Sequence, residues 1–386
     1  MGNHREDNPA LALVLTGGGA HAAYEVGFLR CLAKHYPDLK IPILTGVSAG
    51  AINAVFLANH SGPFAVAVED LAKLWEKLTI DQIFKSDSFS LLKNFLHWQV
   101  SLISGGLIQA PSGRGLVDSS PLRKMLERQF NPQGEELRGI KDNLEKGTLR
   151  AVAISATDYG SDRAITWIQG TEIVGWDRAH RYGLSTEIVI DHIMASSALP
   201  LFFPAVYVNG SWFGDGGIRQ TSSLAPALHL GASHILAVST HYEKKQADVP
   251  EAFATDHPYP AQILGTLLNS VFLDLILRDA RVLERINYLL KKIPEGATSE
   301  FREIDLFLLQ PSQNISELSG EHWRDMPKMF NYLTKGWGTQ RLSSPDWLSV
   351  VMFDASYIRR IMDIGKTDAA QQMPEIAKVV EKSGAL

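Results

Sequence analysis

Two stretches of the chain repeat one order of events: an unbroken apolar run, a knot of small residues, then apolar positions three and four apart. Ala10-Leu11-Ala12-Leu13-Val14-Leu15 runs into Thr16-Gly17-Gly18-Gly19, which predicts a buried strand entering a glycine turn. Tyr24, Phe28, Leu29 and Leu32 follow at helical spacing, and Pro37 closes that helix. Ile41 to Thr45 and Ala51 to Leu57 repeat strand and helix around Gly46-Val47-Ser48-Ala49-Gly50. Two such units in succession predict a parallel α/β sheet.

Further along, the pattern is more varied. Leu71, Leu74, Trp75 and Leu78 mark a helix, and Ile83 to Ile108 is rich in aromatic and aliphatic residues. That second stretch reads as an amphipathic helix on the core, or else as a lid or a membrane-facing surface. Leu149 to Ser155 and Ala164 to Ile168 alternate as two strands around a turn containing Asp158 and Asp162, and Ile188 to Ala198 reads as a helix stopped by Pro200 and Pro204. Val206 to Phe213 forms a hairpin turning at Asn209-Gly210 and delivers Gly214-Asp215-Gly216-Gly217. Helix Leu224 to Leu230 and strand His234 to Val238 complete the pattern. Beyond Pro250 the chain turns mainly helical, with one strand, Ile304 to Leu309, expected at the sheet edge. Residues 10–245 therefore form the expected catalytic domain and residues 250–386 a helix-rich extension packed on it.

Composition narrows the chemistry. A hydrophobic content of 45% in 386 residues supplies a large core, and a net charge of −5 argues against a nucleic-acid partner. Cys31 is the only cysteine, so no intrachain disulfide and no paired-cysteine metal site is expected. The polar N-terminus predicts no signal peptide and a cytoplasmic protein. Leu267 to Leu277 is interrupted by Asn269, Ser270 and Asp274 and falls short of a membrane span, so membrane contact is expected to be peripheral.

The candidate chemistry lies at the glycine-flanked joints. Gly46-x-Ser48-x-Gly50 sits between a strand and a helix, where a serine hydroxyl stands exposed on a strained turn and helix N–H groups face an anion. Ser48 is thus the candidate nucleophile. Gly17-x-Gly19-x-x-Ala22 also satisfies a dinucleotide-binding pattern, but Asp38, the nearest acid, precedes the second strand instead of ending it. Beside a serine elbow, Gly17, Gly18 and Gly19 make a candidate oxyanion hole. A nucleophilic serine also needs a base. None of the 12 histidines stands in a distinctive loop, and His192 and His229 read as structural. Asp215, bracketed by glycines, is the candidate base.

Gly17-Gly18-Gly19-Ala20-His21, Gly46-Val47-Ser48-Ala49-Gly50 and Asp215-Gly216-Gly217 resemble, in that order, the three blocks of the patatin-like phospholipases. Ala195-Ser196-Ser197-Ala198-Leu199-Pro200 is similar to a further block of that family. The resemblance implies a three-layer α/β/α fold with a mainly parallel sheet, a Ser48–Asp215 dyad without histidine, and no metal or cofactor. It implies hydrolysis of fatty-acyl esters in lipids or lysolipids through an acyl-Ser48 intermediate. It implies that the N–H groups of Gly18 and Gly19, with Gly17 and Ala49, hold the oxyanion, and Gly46, Gly50, Gly216 and Gly217 are carried over as motif glycines. Two positions depart: His21 stands where the family commonly has Arg or Lys, and Ala22 where it has Gly. His21 is therefore expected at the substrate, lending pH sensitivity to headgroup binding. An acyltransferase or esterase using the same dyad, and a nucleotide-binding protein using the Gly17–Gly19 loop, are the alternatives.

Overall fold

Ten strands form one mixed, mostly parallel sheet in the computed structural model, which describes residues 10–85, 115–130, 137–171, 173–220, 222–243, 275–294, 299, 301–319 and 349–386. Its central strands are β1 (Leu11–Leu15), β2 (Ile43–Val47), β3 (Ala151–Asp158) and β9 (His234–Val238). β9, β1, β2 and β3 run parallel in that order, and β10 (Asp305–Leu309) adds to β9 at the edge, as its apolar run predicts. The far side is antiparallel where β3 meets β4 (Arg163–Gly170). β5 (Trp176–Arg178) and β6 (Arg181–Ser185) extend that end. These two strands escape a sequence reading because they are short and largely exposed, so they carry no buried alternation.

The sheet has a core on each face. Leu11, Leu13 and Leu15 enter one cluster, while Ala10, Ala12 and Val14 enter the other, as strand periodicity requires when both faces are covered. Helices α1 (Ala23–His35), α2 (Ala49–Asn59) and α3 (Phe64–Glu76) pack on the first face. Four further helices follow in the chain: α4 (Ile80–Ile83), α5 (Ser120–Phe130), α6 (Arg138–Glu145) and α7 (Ile190–Ser196). The second face is covered by α8 (Ala225–His229) and α9 (Leu275–Leu290) through Leu224, Ala227, Ile276 and Leu283. The result is the expected α/β class with helices on both faces of the sheet.

The C-terminal helices α10 (Ala355–Gln371) and α11 (Met373–Lys382) return to the first face. Tyr24 on α1 donates to Asp368 Oδ2 on α10 at 2.8 Å, so the end of the chain is tied to the first helix. The rich stretch between Ile83 and Ile108 lies outside the described residues from position 86, as do Leu264 to Phe272 and Trp323, Trp337 and Trp347. Among the described residues no helix is long and apolar enough to cross a membrane.

Candidate active site

Ser48 occupies the joint between β2 and α2 with φ 55° and ψ −132°. For a residue with a side chain this is a strained conformation, costing on the order of 1–3 kcal/mol, and it persists only where neighbours hold it. Those neighbours are visible. The Ser48 N–H donates to Ser196 Oγ at 3.0 Å, whose own hydroxyl donates to the Ser155 carbonyl at 2.6 Å. From the other side, Ser197 Oγ donates to the Ser48 carbonyl at 3.1 Å. The turn is tight enough that a Cβ on Gly46 would press into the Gly50 carbonyl, and one on Gly50 into the Leu15 carbonyl. Both motif glycines are thus required by close backbone approach.

Asp215 reaches the same place from the hairpin of β7 (Val206–Val208) and β8 (Ser211–Asp215). β8 pairs antiparallel with the end of β3, placing Asp215 opposite Ala156, one position beyond Ser155, the partner of Val47. The carboxyl is fully buried, and Oδ1 accepts the Gly217 N–H at 2.9 Å. A Cβ on Gly216 would run into the Ser155 carbonyl. Oδ2 has no hydrogen bond among the described residues. Burial pushes the Asp215 pKa up to about 6, against the opposing pull of the Ser48 hydroxyl and the Gly217 N–H. The Ser48 hydroxyl therefore lies close enough to favour the carboxylate. A carboxyl titrating near 6 is poised as a general base near neutral pH.

The glycine loop lies against this pair. Gly17, Gly18 and Gly19 all take positive φ, at 77°, 104° and 58°. The N–H groups of Gly18, Gly19 and Ala49 have no acceptor among the described residues, and Ala49 opens helix α2, where the helix dipole adds positive potential. Gly17 departs from the expectation for the oxyanion hole. Its N–H is already committed to Glu25 Oε1 at 2.7 Å, and its carbonyl accepts from Thr240 Oγ1 at 2.7 Å. Gly17 is consequently an anchor of the loop instead of a free donor. Behind it Glu25 Oε2 accepts from Asn53 Nδ2 at 2.8 Å, and Asn53 Oδ1 accepts from Trp75 Nε1 at 2.8 Å.

The expectation that His21 meets substrate is corrected. Its ring is only 1% exposed, Nε2 pairs with Ser349 Oγ at 2.8 Å, and burial pushes the pKa down to about 3, with His241 adding repulsion. A neutral buried imidazole supplies no cation for a headgroup. His192 is likewise structural: Nδ1 accepts the Val189 N–H at 3.0 Å and the ring packs on Trp167. His229 stacks on Trp176. Among the described residues no group of three or more His, Cys, Asp or Glu is arranged to hold a metal ion.

Glu25, Ser196 and Ser197 are the site residues that sequence reasoning gave no role. The Ser196-Ser197 pair had a signal in the block Ala195 to Pro200; a glutamate inside an apolar helical face was the signal for Glu25. In front of Ser48 lies a narrow apolar pocket of about 50 Å³ lined by Ile52, Leu74, Leu78, Met125, Leu199 and Phe203 among others. It holds space for a few water-sized groups beside Ser48 and presents hydrocarbon walls.

Comparison with known proteins adds a family. The sequence model of the patatin-like phospholipases matches residues 13–228. No curated protein matches the chain. Among solved structures, it is similar to human GIVD cytosolic phospholipase A2 in complex with methyl gamma-linolenyl fluorophosphonate. That match has 12% identity and a TM-score of 0.48, and covers 98% of this chain and 59% of that one. It is also similar to VipD from Legionella pneumophila at 12% identity and a TM-score of 0.38, over 95% of this chain and 67% of that one. The chain thus spans about three fifths of the length of the human structure.

Proposed function

Because the chain belongs to the patatin-like phospholipase family, we propose that it is a lipid-hydrolysing enzyme that cleaves fatty-acyl esters of phospholipids or lysophospholipids through Ser48 and Asp215. The observation that carries this reading is the wholly buried Asp215, whose Oδ2 has no hydrogen bond among the described residues and which lies near enough to the Ser48 hydroxyl for that group to favour its ionised form.

In the proposed cycle Ser48 Oγ attacks the acyl carbonyl as its proton passes to Asp215 Oδ2. The oxyanion is held by the Gly18, Gly19 and Ala49 N–H groups, with Glu25 fixing the loop from behind. Collapse breaks the ester C–O bond, and Asp215 returns the proton to the departing alcohol. Asp215 then takes a proton from water, the hydroxide attacks acyl-Ser48, and the fatty acid leaves as Ser48 regains its proton. No cofactor enters. Residues 10–245 supply these groups, and in this proposal the segment beyond 250 braces them: the Val350 carbonyl accepts the Ala20 N–H at 2.7 Å. The enzyme would act in the cytoplasm and meet lipid peripherally.

Fluorophosphonate labelling with peptide mass spectrometry tests the proposal on wild type, Ser48→Ala and Asp215→Asn. One adduct on Ser48, absent from Ser48→Ala and much slower in Asp215→Asn, is expected. A folded wild type that stays unlabelled in lipid micelles would overturn it.

A further inference from the structure

A groove of about 760 Å³ adjoins the apolar pocket and shares Leu74, Leu78 and Met125 with it. One wall comes from the end of α3, the other from α5. Each helix presents two cations to the groove four residues apart: Lys73 and Lys77, the helical-backbone C-cap, from the first, and Lys124 and Arg128 from the second. Residues at that spacing share a helix face. Lys85 adds a fifth cation.

Two of the five are neutralised locally, Lys73 by Asp70 at 3.0 Å and Lys85 by Asp118 at 2.6 Å. Asp81 also lines the groove. Lys77, Lys124 and Arg128 have no ion pair among the described residues. A chain of net charge −5 therefore carries a concave cluster of unpaired cations directly beside the hydrocarbon pocket at its nucleophile. Such a concave cluster concentrates anions.

We infer that this groove is the headgroup site and takes a phosphate-bearing anionic headgroup while the acyl ester lies at Ser48. The inference rests on the proposed lipid hydrolysis and extends it to a substrate class. The shared wall of Leu74, Leu78 and Met125 matches a ligand that is apolar on one side and anionic on the other. A phosphate meets Arg128 as a planar fork and Lys77 and Lys124 as point charges.

The test compares wild type with a Lys77→Gln/Lys124→Gln/Arg128→Gln variant, both as full chains. Substrates are dihexanoyl-phosphatidylglycerol and dihexanoylglycerol, kept below their micellar concentrations so that no lipid surface exists. The expected result is a roughly tenfold fall in the ratio of kcat/KM between the anionic and the neutral ester, since exposed charge contacts are individually weak and here sum over three. An unchanged ratio in a folded variant overturns the inference. So does a ratio that changes only on phosphatidylglycerol vesicles, which assigns the cations to general surface attraction. Binding of the diether analogue of dihexanoyl-phosphatidylglycerol to Ser48→Ala is measured by calorimetry. It separates the two readings: binding that the triple substitution weakens supports the headgroup site even where no ester is turned over. Competition by inorganic phosphate at the same concentration as the lipid would instead assign the groove to free phosphate.

Discussion

Replacing Glu25 isolates the group that holds the oxyanion loop without touching the reacting atoms. Its carboxyl is fully buried, accepts the Gly17 N–H on one oxygen and Asn53 Nδ2 on the other, and is pushed up to about 8 by burial against those hydrogen bonds. Each oxygen thus has a donor of its own behind the glycine loop. Glu25→Ala orphans two buried donors at about 1–3 kcal/mol each, a loss of roughly 2–6 kcal/mol measurable by urea denaturation. It also frees Gly17, so the Gly18 and Gly19 N–H groups lose alignment. Removing one oxyanion donor outright costs about 10²–10³ in kcat, and misaligning two that remain present is expected to cost about tenfold to a hundredfold, with KM shifting less. Glu25→Gln keeps the shape but turns an amide NH₂ on one of the two donors, leaving one N–H unpaired at about 1–3 kcal/mol. Its kcat should fall between wild type and Glu25→Ala. Steady-state hydrolysis of a monomeric short-chain ester, well below the unfolding transition, reads both constants. A folded Glu25→Ala retaining kcat within about threefold of wild type would refute the role.

Three further outcomes follow from the same geometry. Asp215 accepts the Ser48 proton only when ionised, so kcat/KM should rise with pH through about 6 and level off above it; a profile with no inflection between roughly pH 5 and 7 refutes this. Ser196→Ala removes the acceptor of the Ser48 N–H and the bridge to the Ser155 carbonyl, and should lower stability by about 1–3 kcal/mol and slow fluorophosphonate labelling; unchanged labelling would release Ser196 from the elbow. His21→Gln can keep a polar contact to Ser349, and because His21 stays neutral the pH profile should be unchanged; a displaced inflection would show that the imidazole titrates.

What the chain disclosed on reading, and what it withheld, divides along physical lines. Strands β1, β2, β3 and β9 were legible because every residue in them is buried, so that apolar positions dominate their sequences. Ser48 and Asp215 were legible because glycines on either side mark backbone that tolerates no Cβ. The Glu25 network was not, since its meaning depends on Gly17 and Asn53 arriving at one buried point, which spacing along one helix does not express. His21 was misread for a related reason: a polar residue beside a glycine loop looks accessible until Ser349, 328 positions later, closes over it.

The arrangement of the candidate dyad depends on β3 more than on either strand that carries it. β2 ends at Val47 opposite Ser155, and the next position, Ala156, is already taken by Asp215 at the end of β8. Along one edge of β3, a parallel neighbour therefore gives way to an antiparallel one within a single residue. Ser48 leaves the sheet at that seam and Asp215 enters it there. Ser155 holds the seam through its carbonyl, which accepts Ser196 Oγ, while its side chain pairs with Thr166 on β4 at 3.0 Å. A register slip of one residue in β3 against β8 would turn Asp215 to the opposite face of the sheet. The hairpin turn at Asn209 and Gly210, both at positive φ, sets the β7–β8 register. Placement of the candidate base is thus fixed by a turn five residues upstream and by the strand it shares with the candidate nucleophile.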